Sequence, residues 1–452
     1  MSRYIDGTFA RRAVGLIFLL AAAALPLFRQ RGTPSWETVW AEDGFLYTQQ
    51  AVNRGAFHVV LRGYNGYLQL PPRLLALPTP LFSLRYLALY CSLTSVAVAA
   101  LLAWGVYHWS RSWIGSRLLR LALASLVVLM PALGTDSTAT ITNLIWPFLA
   151  ALPWALISME ERRRDVATRS VVAALGATSS LLSLCFLPLA LVWLAYRRTK
   201  AALVVTASFV AGIVLQGVVA LTTSTPADPL VAHRSLANLV NVVEGEGARV
   251  FGTFLLGSRW EMDLGSLSGT AAVVLPTIAV VALLVLLALG ADRRVQVIAG
   301  TCVVTAVALF AGTAWERGPG VYGLSQAGVS ATPRYSVAPV MLVASAVALL
   351  VACREQKSNP PSRIRRPLGN AGTWLFVAQT VLVVAAGFSV VTLRGLDPSW
   401  IGRVDHVVAQ QCANQPPSTL VTVPNGTGEH TFFSQRLPNG VFPVTVPCSH
   451  LR

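Results

Sequence analysis

The sequence predicts an all-α polytopic membrane protein, on the grounds of composition, hydropathy and charge distribution. Of its 452 residues, 54% are hydrophobic and only 12% are charged, and the mean hydropathy is +0.60. Soluble domains carry about 25% charged residues. Apolar runs long enough to cross a hydrocarbon core, roughly 18 residues or more, recur along this chain. The composition therefore excludes a soluble domain with a single core.

The hydropathy pattern predicts about eleven transmembrane helices, with the first as a retained anchor. Its apolar run, "LAAAALPLFRQRG", lacks the small-x-small pattern of a signal-peptide cleavage site. The predicted spans are 13–28, 86–107, 119–133, 143–158, 170–182, 184–196, 201–222, 269–290, 295–315, 336–353 and 374–392.

The basic residues indicate how the chain is oriented. More than half of the 35 Lys and Arg residues fall in short loops that all lie on one face of the predicted topology. By the positive-inside rule that face is cytoplasmic, so the N-terminus lies in the cytoplasm and the C-terminus outside a cell (plasma) membrane. This asymmetry explains the net charge of +16 without a nucleic-acid partner. These loops span 3–12, 111–120, 160–169, 197–200, 292–294 and 354–366.

The chain divides into a transmembrane domain, 1–392, and an extracytoplasmic tail, 393–452. Within the first part, 29–85 and 223–268 are extracytoplasmic loops too long to be simple connectors. The first loop is rich in aromatic residues and is expected to fold. Its stretch "EDGFLYTQQAVNRG" predicts a short amphipathic helix on the outer surface that ends at Gly55, and a second short helix is expected from about Pro72.

The tail has a different character from the rest of the chain. Two β-branched runs with Asn-Gly turn signals, "TLVTVPNGTGEHTFF" and "LPNGVFPVTVPC", predict a small β unit. Cys412 and Cys448 are the only cysteines of the tail, and outside the cell we expect them to form a disulfide. The remaining cysteines fall in apolar spans and are expected to be core residues.

An acidic pair in "WAEDG", Glu42 and Asp43, is the first candidate for chemistry. Acids in a first helical turn favour the positive end of the helix dipole, which is a structural explanation for both. The functional alternative is a carboxylate at the lip of a membrane cavity, acting as a general base toward a sugar hydroxyl. The pair is compatible with a divalent cation such as Mg²⁺ or Mn²⁺ but does not require one.

Two arginines are candidates for the cationic part of a site. Arg73 in "LPPRLLAL" and Arg334 in "TPRYSVAP" lie just outside predicted spans, with tyrosines nearby. The guanidinium suits phosphate because its planar fork offers paired donors. An isolated Arg can instead be an interfacial side chain that reaches the headgroups. The neighbouring tyrosines, Tyr64, Tyr67 and Tyr335, favour a donor-phosphate site.

A third polar group lies in "ITNLIWPF", where Asn143 and Trp146 are spaced to share a helix face. An amide and an indole suit sugar hydroxyl recognition and ring stacking, and Trp40, Tyr64 and Tyr67 are further candidate sugar or acceptor contacts. A helix cap and an interfacial aromatic residue are the structural alternatives for Asn143 and Trp146.

Taken in order, "WAEDG", "GYNGYLQLPPR", "TNLIW", a late "PRY" and a cysteine-paired tail resemble the multispanning GT-C-type glycosyltransferases that use polyprenyl-phosphate sugars. The resemblance implies that Asp43 or Glu42 is the catalytic acid of the first outer loop. It also implies that Arg334, with Tyr335 beside it, lies near the lipid phosphate. The tail is smaller than the C-terminal domain of many members, so its role toward the acceptor stays open.

The leading hypothesis is a transferase that moves a sugar from a polyprenyl-phosphate lipid to an extracytoplasmic glycan, lipid or protein. The absence of a nucleotide-binding motif fits such a donor. A transporter or flippase of lipid-linked saccharides is the alternative from another class, and an inert envelope scaffold is a third. Transporters place ionisable residues inside the membrane, whereas these predicted spans are almost free of charge, which favours the enzyme. Neither the sugar, the acceptor nor the oligomeric state can be inferred from the sequence.

Overall fold

The computed structural model describes residues 15–130 apart from 65, then 132, 139–223, 238–258, 268–317, 333–358, 370–391, 394–425 and 442–452. About 79% of these residues are helical, and strand is almost absent. Five helices are long and apolar enough to cross a membrane, and four shorter apolar helices accompany them. The prediction of an all-α membrane protein is therefore confirmed.

The helices follow the apolar runs closely. Two of the five long ones begin after a capping hydroxyl side chain, Thr199 before Lys200–Thr222 and Ser268 before Gly269–Ala288. In chain order the helices are α1 Gly15–Phe28, α2 Gln49–Arg54, α3 Leu70–Ala76, α4 Leu87–Trp109, α5 Arg117–Leu129, α6 Ile145–Ile157, α7 Arg163–Ala177, α8 Leu187–Arg197, α9 Lys200–Thr222, α10 Asn238–Gly245, α11 Gly269–Ala288, α12 Arg293–Arg317, α13 Val337–Ser358, α14 Ala371–Ala386 and α15 Trp400–Val407.

Polar contacts divide the helix ends into two groups. At one end the basic loops carry ion pairs, such as Arg111 with Glu160 at 2.5 Å. At the opposite end the buried Arg29 donates to the backbone oxygens of Met130 and Gly387, so it ties together the ends of α1, α5 and α14. The first loop and the tail lie at this second end, which we call the loop end.

The first loop folds, as predicted, around a helix that ends at Gly55, where φ is +84°. The structure adds a π-helix, Asp43–Thr48, directly before α2. Its placement differs from the prediction, because Asp43, Tyr47 and Ala51 are buried rather than lying on the surface. The second helix of the loop, α3, begins two residues before the expected Pro72.

The predicted outer loop 223–268 contains a helix that packs into the bundle. Residues 238–258 form α10, a second π-helix, Glu246–Gly252, and a final helical turn. Residues 245–254 are all buried. A Cβ on Gly247 would lie 2.6 Å from Thr277 Oγ1 of α11, so the two helices approach closely there. Sequence analysis treated this segment as an extramembrane loop and missed the helix.

Short strands complete the loop end. β1, Gln30–Arg31, pairs in parallel with β2, Val390–Val391. In the tail, β3, Leu420–Val423, pairs antiparallel with β4, Val444–Pro447, and this pair is the predicted small β unit. Its Asn-Gly turns lie outside the described residues, except for Asn425. Thr445 of β4 bonds to Gln49 and Asn53, which docks the tail on α2.

The predicted disulfide between Cys412 and Cys448 is confirmed, with the two Cα atoms 5.7 Å apart and a sequence separation of 36 positions. It joins the helical turn after α15 to the end of β4. Both cysteines are fully buried. Together with the short β3–β4 ladder, the disulfide holds the tail as one unit against the first loop.

Replacing both cysteines with serine is expected to destabilise the tail by about 2–4 kcal/mol, because the unfolded tail regains conformational entropy. The measurement is limited proteolysis of the purified protein, with cleavage in the tail appearing at lower protease concentration in the double variant. A Cys91→Ser variant, at a buried free cysteine, is the control for loss of a thiol alone. Equal protease resistance of the tail in the double variant and the wild type would contradict the expectation.

Candidate functional site

Three segments meet at the loop end beside the start of α6. The first π-helix supplies Asp43 and Tyr47, α3 supplies Arg73, and the stretch before α6 supplies Ile141 and Thr142. Two Pro residues at the start of α3 leave few backbone donors unsatisfied there. These contacts join residues that lie about a hundred positions apart in the chain.

Asp43 is fully buried and bonded on both carboxylate oxygens. Oδ2 accepts from the Ile141 amide at 3.1 Å, and Oδ1 accepts from the Thr142 amide at 2.9 Å and from the Thr142 hydroxyl. Burial raises the pKa of Asp43 to about 6, while the bonds from Thr142 and the charge of Arg394 act in the opposite direction. The carboxylate thus holds the turn that begins α6. It has little remaining capacity to accept a hydrogen bond from a further donor.

Replacing Asp43 with Asn is expected to lower stability by about 1–3 kcal/mol, because one amide oxygen cannot accept from all three buried donors. Since burial raises the native pKa of Asp43 to about 6 from 3.8, this carboxyl group stays protonated to a higher pH in the native protein than in the unfolded chain. The contribution of this raised pKa to the free energy of unfolding is fully present below about pH 4 and is lost as the pH rises through about 6. The stability difference between wild type and variant should therefore shrink from pH 4.5 to pH 7, measured by thermal unfolding in detergent. A difference that grows with pH would contradict this.

Several polar residues of the first loop carry buried side-chain atoms that have no hydrogen-bond partner within the described part of the chain. Buried polar groups are usually paired, so orphaned donors and acceptors that gather in one place suggest a site for a ligand or ordered water. We call these residues the first-loop cluster: Trp40 (Nε1), Glu42 (Oε2), Tyr47 (Oη), Gln69 (Oε1) and Arg73 (Nε and Nη2).

Tyr47 lies at the centre of the first-loop cluster. Its side chain is fully buried, and burial raises the pKa of the phenol well above its usual range, so the hydroxyl stays protonated. The charges of Glu42 and Arg73 both act on it, in opposite directions. The phenol is thus within electrostatic reach of a half-buried carboxylate and a buried guanidinium, and its hydroxyl has no hydrogen-bond partner among the described residues.

Arg73 presents one edge of its guanidinium to the first-loop cluster. Its side chain is only 1% exposed. Nη1 donates to the Val59 carbonyl oxygen at 2.9 Å and to Gln50 Oε1 at 3.2 Å, and the guanidinium lies 5.6 Å from the centre of the Tyr47 ring. Nε and Nη2 have no partner among the described residues. These two atoms form the side-on pair of donors that binds two oxygens of a phosphate or carboxylate.

Trp146 connects this region to the second predicted arginine. Its indole is buried in the first turn of α6 and packs edge-on against Tyr335, with ring centres 5.3 Å apart. The Arg334 guanidinium lies 5.5 Å from the centre of the Tyr335 ring. The residues predicted from "TNLIW" and "PRY" are therefore neighbours, one helical turn beyond the Asp43–Thr142 contact.

The other predicted sugar contacts are placed less directly. Asn143 donates to Thr140 Oγ1 at 2.9 Å and borders a small void with Pro26 and Ser95, a void that Trp146 does not line. Tyr64 and Tyr67 pair through their backbones in a tight turn. The Tyr67 hydroxyl accepts from Gln69 Nε2 at 2.8 Å, which places Tyr67 at the rim of the first-loop cluster.

A cavity of about 440 Å³ opens next to the first-loop cluster. Gln50 links the two, because its Oε1 accepts a hydrogen bond from Arg73 of the cluster and its side chain lines the cavity. Amide, aromatic and basic side chains form its described wall, a combination that suits a saccharide or another polar ligand. The lining residues are Phe45, Leu46, Gln49, Gln50, Asn53 and Arg54.

Sequence reasoning missed Tyr47, Gln69 and Thr142 as residues of this region. Tyr47 was recognised only as one of many aromatic residues of the loop, although it lies four positions after Asp43 on the predicted helix. Gln69 immediately precedes α3, the helix that carries Arg73, and this position in the sequence could have identified it as a candidate. Thr142 carries no signal of its own, since only the fold brings its hydroxyl to Asp43.

Metal binding was left open by the sequence. Across the described residues, no three His, Cys, Asp or Glu side chains come together in a group that could hold a metal ion. Glu42 and Asp43 diverge, since Asp43 is bonded to the start of α6 and Glu42 faces Tyr47. No protein-family model, curated protein or solved structure matches the chain.

Proposed function

We propose that this protein is a membrane glycosyltransferase of the GT-C type, with about eleven transmembrane helices and an extracytoplasmic loop end. It would transfer a sugar from a polyprenyl-phosphate carrier to an extracytoplasmic glycan, lipid or protein. The observation that carries the proposal is the first-loop cluster. In it, a carboxylate oxygen of Glu42 and the guanidinium edge of Arg73, both without a partner among the described residues, belong to side chains whose charges act on Tyr47.

The chemistry needs a base for the acceptor and a cationic partner for the leaving group. The acceptor hydroxyl oxygen attacks the anomeric carbon, and Glu42 takes the hydroxyl proton as the new bond forms. The bond between the anomeric carbon and the phosphate oxygen breaks, and its electron pair leaves with the polyprenyl phosphate. The side-on edge of Arg73 stabilises the phosphate dianion. One displacement inverts the anomeric configuration.

The two acids of "WAEDG" have different roles in this proposal. Glu42 acts as the base because its Oε2 has no partner within the described chain. Asp43 is a positioning residue, since its carboxylate is bonded to the backbone that begins α6. It thereby fixes the first π-helix against the helix that carries Trp146. The cavity lined by Gln49 and Gln50 is the proposed path of the acceptor.

A transporter of lipid-linked saccharides is the second candidate, and one observation favours it. The second π-helix carries Glu246 and Arg249, both buried in the bundle. Ionisable residues at such positions are typical of transport pathways and proton relays. The unpartnered atoms of the first-loop cluster lie at the loop end instead, where a lipid headgroup would arrive, and this is why we favour the transferase.

The test is transfer by the purified protein in lipid nanodiscs, supplied with radiolabelled polyprenyl-phosphate sugars and a panel of glycan, lipid and peptide acceptors. Release of free polyprenyl phosphate together with labelled acceptor would support the proposal. Reconstituted vesicles report the alternative, through protein-dependent movement of the labelled lipid between leaflets. Lipid movement without any transfer would overturn the transferase in favour of the transporter.

A further inference from the structure

Glu246 is a buried carboxyl group that the proposed reaction does not yet use. It begins the second π-helix and is 7% exposed. Neither carboxyl oxygen has a hydrogen-bond partner in the described part of the chain. Leaving such a group unpaired in an apolar interior costs free energy, and a leucine of similar size would fit the surroundings better. A group kept at this cost invites a functional explanation.

The face of the helix on which Glu246 lies is defined by its neighbours one turn away. Val242 and Val250 both belong to the main hydrophobic core, the same core that contains Trp146 and against which Tyr335 packs. Glu246 therefore lies toward the protein interior rather than toward lipid. By contrast Val243, on the adjacent face, is 69% exposed.

Along the axis of the helix bundle, Glu246 lies near the loop end, as the candidate site does. Gly247 packs against Val273 and Thr277, within the first turns of α11 from its start at Gly269. The second π-helix also packs against the turn Pro333–Ser336, which carries Arg334 and Tyr335. The helix that begins with Glu246 is thus in contact with the turn that carries Tyr335, the partner of Trp146. π-Helical turns are frequent at functional sites.

We propose that Glu246 binds hydroxyl groups of the sugar on the lipid-linked donor. Its two oxygens can pair with adjacent hydroxyls of a hexose or pentose, and the half-buried Tyr335 offers an aromatic ring in the adjoining turn. This assigns a sugar subsite on the α11 side, separate from the phosphate contact of Arg73. The inference rests on the proposed use of a polyprenyl-phosphate sugar.

The test measures binding rather than transfer, so that it stays informative if no acceptor is found. Purified protein in nanodiscs is titrated with polyprenyl phosphate and with polyprenyl-phosphate glucose, mannose, galactose and arabinose. The wild type is expected to bind at least one of the sugar-bearing lipids more tightly than the bare one. Glu246→Leu should reduce that preference about tenfold, as expected for loss of one or two hydrogen bonds to a carboxyl group, and leave binding of the bare lipid unchanged.

Two further variants separate the explanations. Glu246→Gln keeps two polar atoms and is expected to retain most of the preference for the sugar, whereas a proton carrier would lose its function with Gln as well. Glu244→Leu, at an exposed acid of the same helix, is the matched control and should change nothing. Glu246→Leu should also unfold at a higher temperature than the wild type, because it removes an unpaired buried acid.

The results also distinguish this inference from the proposed function. A Glu246→Leu protein that keeps the full sugar preference would overturn the inference while leaving transfer intact. A wild type that binds no sugar-bearing lipid better than polyprenyl phosphate would overturn it as well. A sugar preference that depends on Glu246, without any detectable transfer, would support the subsite but contradict the transferase.

Discussion

The Glu42→Gln variant is expected to lose sugar transfer by about 10²–10⁴-fold, the usual contribution of a general base, while still binding the donor. Within the described part of the chain, Oε2 of Glu42 is a carboxylate oxygen of the first-loop cluster without a hydrogen-bond partner. An amide of the same shape fills the same space but cannot take a proton from an acceptor hydroxyl. The loss should appear in kcat, with the KM for the donor little changed.

The measurement is initial-rate transfer by the purified protein, compared with Glu37→Gln at a second acid of the same loop as the control. Asp43→Asn serves as the matched partner and should lower the unfolding temperature, which Glu42→Gln should not. A Glu42→Gln protein with wild-type kcat would refute the assignment of the base. If Asp43→Asn alone abolished transfer at unchanged stability, the two roles would be reversed.

Replacing Arg73 with Gln is expected to weaken binding of polyprenyl phosphate about 10- to 100-fold, and transfer should fall at least as much. Charge-assisted hydrogen bonds contribute about 1.5–3 kcal/mol, and each 1.4 kcal/mol corresponds to a factor of about ten. Arg73 is 1% exposed, and its Nε and Nη2 have no partners among the residues that the structure describes, so a bound phosphate would meet two donors already in place.

Arg73→Lys sharpens this prediction, because it keeps the charge but not the paired edge. We expect Lys to recover only a small part of the affinity. Arg85→Gln, at an exposed arginine of the same loop that pairs with Asp405 at 3.0 Å, is the control and should leave binding unchanged. Since Arg73 also bonds the Val59 carbonyl, the unfolding temperature of both variants must be recorded. Full affinity in a folded Arg73→Gln protein would place the phosphate elsewhere, with Arg334 as the next candidate.

Patterns that act within one segment were readable from the sequence. The apolar runs predicted the long helices, and the polar sequence from Glu42 to Gly55 predicted a helix with its end at the glycine. The β-branched runs of the tail predicted β3 and β4, and Cys412 and Cys448 could pair only with each other within the tail. Each of these depends on local hydrogen bonding or local side-chain preference, which the order of residues specifies directly.

Only the tertiary structure distinguished the role of Glu42 from that of Asp43. The two side chains point to different sides of the helix because they occupy adjacent positions. Asp43 meets Ile141 and Thr142, about a hundred residues away, whereas Glu42 keeps an oxygen free beside Tyr47. Only the tertiary structure likewise showed that Nε and Nη2 of Arg73 have no partner among the described residues. It also showed that Glu246, which the sequence predicts to lie in an outer loop, is buried. Whether a polar atom is paired depends on which distant segments pack around it, and no local pattern encodes that.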